Sequence, residues 1–225
     1  CCADHMEHQM LPLTAWGNEY VVPLAPAPGN AASNNRAGYR ITGAFDGTSL
    51  IYDPAAPAGA PATVNAYQTF RFESTTPFTV RSSDPDKPFA VTEFLLSNQA
   101  IAGPFGQPGD PAMIALPAAP QFQDSYIFAV PAGYTSDFVT VSRPVGTPVE
   151  VDGNAITGTW QSLGSLDGTA WEYRHIAVTV GQHTLGSTDG TPIGLIGTGY
   201  AQDVSYGYPG GSGFIEISVA PPIPE

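Results

Sequence analysis

The sequence predicts an all-β protein built of two tandem, internally duplicated antiparallel β-sandwich-like modules, and three observations carry that expectation. No stretch sustains a helical period, whereas short segments alternate at period two: Phe70 and Phe72 against Arg71 and Glu73, and Ile176, Val178 and Val180 against Ala177 and Thr179. Gly (25) and Pro (23) together make about a fifth of the chain while charged residues supply only 12%, a composition suited to short strands and close-set turns. Residues 20–99 are also echoed by residues 126–203. YRITGAFDGTSLIYD, from Tyr39 to Asp53, pairs with FVTVSRPVGTPVEVD, from Phe138 to Asp152. Tyr67 (YQTFRFE) pairs with Tyr173 (YRHIAVT), the segment from Thr79 with that from Thr184, and Pro88 with Pro192. A repeat of this length makes two small domains of a 225-residue chain, each large enough for its own core.

Taken in order, residues 1–19 read as a polar N-terminal extension ending at Trp16-Gly17, and residues 20–100 as the first β module. Its expected strands are Tyr20 to Leu24, Tyr39 to Phe45, Ser49 to Asp53, Tyr67 to Glu73, Phe78 to Ser82 and Phe89 to Ser97. Residues 101–120 form a Pro-, Gly- and Ala-rich connector with one short strand at Met113 to Leu116. Residues 121–220 form the second module, closing on a strand from Phe214 to Val219, and residues 221–225 a proline-rich tail. Asp46-Gly47, Asp152-Gly153, Asp167-Gly168 and Asp189-Gly190 fall between apolar runs, where a tolerance of positive φ suits tight turns. The N-terminal segment is expected to pair along or between the modules.

The charge balance narrows function. A net charge of −13 with seven Lys and Arg repels phosphate backbones and anionic lipid, so nucleic acid is not an expected partner. No apolar run approaches the ~18 residues that span a bilayer. There is no signal peptide or initiator Met, so a processed product or an excised fragment is expected. Cys1 and Cys2 are adjacent, and the ring that would join them is strained. Three readings stay open: disulfides to partners outside this chain, lipid on Cys1 as in a mature bacterial lipoprotein, and plain thiols. The first two imply export.

Few residues offer reaction chemistry. His5, Glu7 and His8 combine imidazole and carboxylate beside two thiols, a zinc-compatible set without the spacing of a standard zinc site; a polar N-terminal strand or loop is the plainer account. Asp84-Pro85-Asp86 and the turns at Asp167 and Asp189 carry calcium-type oxygens at low density, and ordinary turn chemistry accounts for them. No cofactor is expected. Gly210-Gly211-Ser212-Gly213 only superficially resembles a nucleophile elbow, and His175 and His183 read as a surface imidazole and a turn-flanking residue, so no enzyme is expected. Tyr200, Tyr206, Tyr208 and Phe214 crowd a Gly-rich stretch and are the candidates for a binding face; the plainer alternative is that these rings plug the end of the second module.

Cys2-Ala-Asp4-His5-Met-Glu7-His-Gln9, Trp16-Gly17 with Tyr20, Gly109-Asp110-Pro111 with Pro117, Gln121, Tyr126, Phe128 and Pro131, Val151-Asp152-Gly153, and Tyr206-Gly-Tyr208-Pro-Gly210-Gly211 together resemble the IgG-Fc-binding-protein N-terminal domain family, in a bacterial, myxobacterial-like form. The resemblance implies an extracellular or cell-surface, non-enzymatic β domain for adhesion or for recognition of a protein or glycan. A structural subunit that assembles with copies of itself into a fibre or coat is the alternative. Low charge, a polar extension able to add a strand to a neighbour and terminal cysteines all favour that second reading.

Overall fold

The computed structural model describes residues 6–28, 35–101 and 108–218. In the first module β1 (Glu19–Val22), β2 (Ala37–Gly43), β3 (Thr48–Asp53), β4 (Thr63–Val64), β5 (Thr69–Ser74), β6 (Phe78–Ser82), β7 (Phe89–Leu95) and β8 (Ala112–Ala115) form two antiparallel sheets. Their orders are β1-β6-β3-β4 and β5-β2-β7-β8. The second module uses β9 (Ser125–Val130), β10 (Ser136–Pro144), β11 (Val149–Val151), β12 (Asn154–Ala155), β13 (Gln161–Leu166), β14 (Thr169–Ala177), β15 (Gly181–Ser187), β16 (Gly194–Ala201) and β17 (Val204–Pro209). Its sheets run β9-β15-β11-β12 and β14-β10-β16-β17, with β13 added beside β14. Strand for strand the orders repeat, so the duplication is one of topology as well as of letters. The connector strand read at Met113 to Leu116 is β8. Among the described residues no helix is long and apolar enough to cross a membrane.

The repeat extends to single hydrogen bonds. Short 3₁₀ turns, Leu13–Ala15 and Ala119–Gln121, lead into β1 and β9. Five residues after the end of each lead-in, a buried tyrosine repeats the same two contacts. Tyr20 Oη accepts from the Gly17 N–H (3.5 Å) and donates to the Phe89 carbonyl (2.7 Å). Tyr126 Oη accepts from the Gln123 N–H (2.9 Å) and donates to the Ile193 carbonyl (2.6 Å). Structural equivalence therefore begins at Leu13 and Ala119, inside the segments that the sequence separates as extension and connector.

Each module buries the facing rows of its two sheets, as alternating strands require. Tyr20, Val22, Phe78 and Val80 meet Tyr39, Ile41, Phe72 and Val91 in the first; Tyr126, Phe128 and Leu185 meet Val139, Val141 and Leu195 in the second. The pairing of β2 with β7 sets Ile41 opposite Val91, and that of β10 with β16 sets Val141 opposite Leu195. Ile41 thus corresponds to Val141 and Tyr39 to Val139, one residue away from the Tyr39 to Phe138 match read from the letters. That slip inverts a face: Phe138 points away from its own core and packs against that of the first module.

Two contacts fuse the modules. Strand β16 is buried at all eight positions, because Leu195 faces its own core while Ile196 and Tyr200 join the first module's. The hairpin of β13 and β14 then folds over the outer face of β1-β6-β3. There Val21 packs with Leu163, Leu166, Trp171 and Tyr173. Thr79 Oγ1 donates to the Ser165 carbonyl (2.6 Å), and the Ser165 N–H donates to Asp53 (3.3 Å). A bulge between Ser162 and Gly164 brings Gly164, at φ +121°, so close that a Cβ would stand 2.6 Å from the Asp53 carbonyl oxygen. In the second module the counterpart of Val21 is Ile127, which is 71% exposed.

Candidate functional site

Chain closure creates the most distinctive surface. After β17 the backbone turns at Gly210, where any Cβ would overlap Leu195, and at Gly211, held at φ +143°. Residues 212–218 then run as an irregular strap where the sequence suggests a final strand, and Gln121 is its anchor. This fully buried side chain donates to the carbonyls of Ala15 (3.3 Å) and Ile215 (2.7 Å) and accepts from Ser212 Oγ (3.3 Å) and the Ile215 N–H (3.2 Å). All four hydrogen-bonding positions of the amide are used. Farther along, the Ile217 N–H donates to the Thr14 carbonyl (2.9 Å), and Ser218 Oγ donates to that of Leu13 (2.8 Å). One strap thereby clamps the lead-in turns of both modules.

Held at its base, the strap turns Phe214 outward at φ +50° and 69% exposure. Across from it runs the segment from His8 to Pro12, and between them lies a cleft of about 590 Å³ with Ala115, Pro117 and Pro209 in its lining. Met10 and Ile215 are also exposed. The cleft is apolar with His8 on its wall, a surface that gains by being covered and offers a partner shape and apolar area.

The sequence candidates separate here. Phe214 lies at the cleft. Tyr200 is buried at 2% exposure, and its hydroxyl donates to the Pro26 carbonyl (2.7 Å), so its ring belongs to the junction between modules. Tyr206 and Tyr208 stack at 5.8 Å, with Tyr134 edge-on to Tyr206 at 4.6 Å. Their rings lie where side chains at Gly199 and Gly197 would stand, covering glycines of the neighbouring strand. Tyr206 Oη donates to Asp137 (2.8 Å) and Tyr208 Oη to the Ala129 carbonyl (2.7 Å), so both close the open flank of the second sandwich. Glu7 and His8 sit on the irregular N-terminal segment. Cys1, Cys2 and His5 lie outside the described residues, among which no cluster of three metal-type ligands occurs.

The histidines on strands have structural partners. His175 is half-buried beside Thr140 Oγ1 (2.9 Å), which corrects its reading as a surface imidazole, and burial lowers its pKa to about 4. His183 Nδ1 meets Asp152 Oδ2 at 2.7 Å and its Nε2 meets the Thr179 carbonyl at 2.7 Å. Both partners are acceptors, an arrangement that favours the doubly protonated ring. The hydrogen bond to Asp152 accordingly raises the His183 pKa, and the same bond lowers that of Asp152. Neither nitrogen is left to take a proton from a nucleophile. Asp84 and Asp189 accept from the N–H groups of Asp86 (3.0 Å) and Thr191 (3.0 Å), the turn role expected of them.

The fold is that of a duplicated β-sandwich domain that carries an apolar cleft at its closing strap. This chain belongs to the IgGFc binding protein family, whose family model matches residues 1–198. It is similar to the IgGFc-binding protein of Homo sapiens, with 25% identity over 211 residues, covering 90% of this chain and 4% of that protein. The chain thus spans a small part of the length of the curated relative it matches. No solved structure matches it.

Proposed function

We propose that this chain is a non-enzymatic recognition module of the cell surface or extracellular space, of bacterial, myxobacterial-like type, serving adhesion by binding a protein partner through the cleft beside Phe214. The observation that carries the reading is a phenylalanine held 69% exposed by a strap whose anchor, Gln121, is fully hydrogen-bonded. A large ring presented from a rigid base is what a recognition hot spot needs. An apolar lining favours a protein over a glycan, whose hydroxyls require polar partners. The family supports binding, and the near absence of lysine, with Lys87 alone, supports the bacterial setting.

The test is binding of the full chain and its Phe214→Asp variant to an immobilised panel of IgG Fc, a mucin glycoprotein and the chain itself. Losing a buried Phe contact should weaken a protein interaction roughly ten- to hundredfold, with thermal melting unchanged. Undiminished binding by the variant would remove the cleft from the proposal.

Self-assembly into a fibre or coat is the second reading, favoured by Ile127. Its counterpart Val21 is covered by a β hairpin, whereas Ile127 lies bare beside a groove of about 630 Å³ on the outer face of β9, β15 and β11. Light scattering with and without reductant tests it. Concentration-dependent assembly abolished by Ile127→Asp would support it, and a monomer of 23.5 kDa in all conditions would sink it.

A further inference from the structure

The seven cations of this acidic chain are unequally partnered. Arg36 is ion-paired with Glu73 (2.7 Å) and Arg143 with Glu172 (2.7 Å). Arg174 donates to the Thr157 carbonyl, Lys87 to the carbonyls of Asp46 and Gly47, and Arg81 stands opposite Glu19 across the β1–β6 pair. Arg40 and Arg71 remain. They are direct cross-strand neighbours in the β2–β5 pairing, and among the described residues neither guanidinium has an acceptor. Like charges directly opposite in a sheet are destabilising, and here burial and the Arg71 charge together lower the pKa of Arg40.

The surroundings give the pair a shape. Arg40 lies over the Phe94 ring with its guanidinium carbon 4.4 Å from the centroid, which fixes the plane of the fork. Gly38, one row along the outer face, leaves a groove of about 510 Å³ walled by Phe94, Leu96, Ala100 and Pro111 as well as by Arg71 and by Glu73, whose carboxylate is already paired with Arg36 and so leaves the charges of Arg40 and Arg71 uncompensated. We infer that this outer face of β5-β2-β7 is a binding site for a carboxylate carried on a peptide, gripped between Arg40 and Arg71 with a neighbouring apolar side chain in the groove. Charge complementarity selects the carboxylate, and the apolar walls favour a peptide over a sulfated sugar. An acidic side chain and a chain terminus present the same group.

Titration of the full chain, followed by NMR of the arginine Nε–H signals, tests the site with three probes. They are an acetylated, amidated Leu-Glu-Phe-Leu, its Gln counterpart, and Leu-Phe-Leu with a free terminal carboxylate; a sulfated heparin disaccharide is the competitor. The expected result is binding of the first or the third, according to the carboxylate's source, roughly ten- to hundredfold stronger than that of the Gln peptide. Arg71→Gln and Arg40→Lys should each weaken binding about tenfold, the second because charge without the fork is insufficient, while Arg81→Gln changes nothing. Melting of Arg71→Gln should be unchanged or raised, which separates a lost site from a lost fold. Equal affinity for the Gln peptide, indifference to both arginine variants, or preference for the disaccharide would overturn the inference. The site is separate from the cleft at Phe214, so Phe214→Asp leaves it intact and either proposal can fail alone.

Discussion

Replacing Glu93 by Gln should stabilise the protein at neutral pH and leave it unchanged in acid. Glu93 is 1% exposed on β7, where it accepts from the Tyr39 hydroxyl (3.3 Å) and an N–H of Ala25 beside the junction with Tyr200. Burial raises its pKa from 4.5 to about 8, outweighing both hydrogen bonds. The folded protein therefore keeps a proton that the unfolded chain releases above pH 4.5, and stability falls as pH rises through that window until the folded pKa is passed. Each pH unit removes about 1.4 kcal/mol, so by pH 7 the loss is about 3 kcal/mol, and it levels off above pH 8. Gln is neutral throughout and keeps an acceptor for both donors. Urea unfolding of the wild type and Glu93→Gln at half-unit steps from pH 4 to 9 gives the difference directly. It should be flat below pH 4.5, then grow in favour of the variant. Parallel profiles would refute the reasoning, since they would mean that the carboxyl ionises in the fold at its ordinary pKa.

Acid exposes the opposite sign at His175, whose pKa of about 4 in the fold lies below its unfolded 6.5. Its contribution is present above pH 6.5 and is lost as pH falls towards 4, by up to about 3 kcal/mol relative to His175→Asn, measured by the same unfolding series. Tyr20→Phe and Tyr126→Phe each remove the same two hydrogen bonds and should each cost about 1–2 kcal/mol; thermal melts that find one silent would break the equivalence of the modules. Gly199→Ala sets a methyl into the Tyr206 ring and should cost about 1–3 kcal/mol in denaturant unfolding, with a change in tyrosine fluorescence as the stack opens.

How much was legible depended on whether a residue answers to its own module or to its neighbour. Period two and Asp-Gly turns mark most strands of the first module, and the matches of Asp53 with Asp152 and of Thr79 with Thr184 agree with the registers of β3–β6 and β11–β15. Tyr39 matches Phe138 in the letters because both are aromatic, yet Phe138 is apolar for the sake of the other module, a cause that no local pattern records. No local pattern marks strand β13, because Gln161, Ser162, Gly164 and Ser165 mask the two leucines that matter. Tyr200 lies beside glycines in the sequence, but those glycines make room for Tyr206 and Tyr208. Composition singles out Phe214; its exposure follows from Gln121, which is remote in the chain and reaches the strap only as a contact.

The candidate surfaces share a cause in the duplication. Two copies of one sandwich supply a rigid frame, and the frame alone treats Val21 and Ile127 alike: same strand, same row, similar side chain. What separates them is the hairpin of β13 and β14, which only the second copy has and which it spends on the first. A two-unit stack closed in this way leaves its last unit uncovered on the face that its first unit has filled. The strap is a second break of the same kind, since the segment after β17 returns to the lead-in turns of both modules whereas the chain after β8 goes on into the next one. Arg40 and Arg71 show it again: β10 carries Val141 and Thr140 where β2 carries Ile41 and Arg40, so the outer face that stays polar in the first module is the face that the second buries against its neighbour. Conserving the frame while breaking the repeat at its ends gives a rigid body whose unsatisfied surfaces are all at positions where the two copies differ, and it is at those positions that a partner has something to gain.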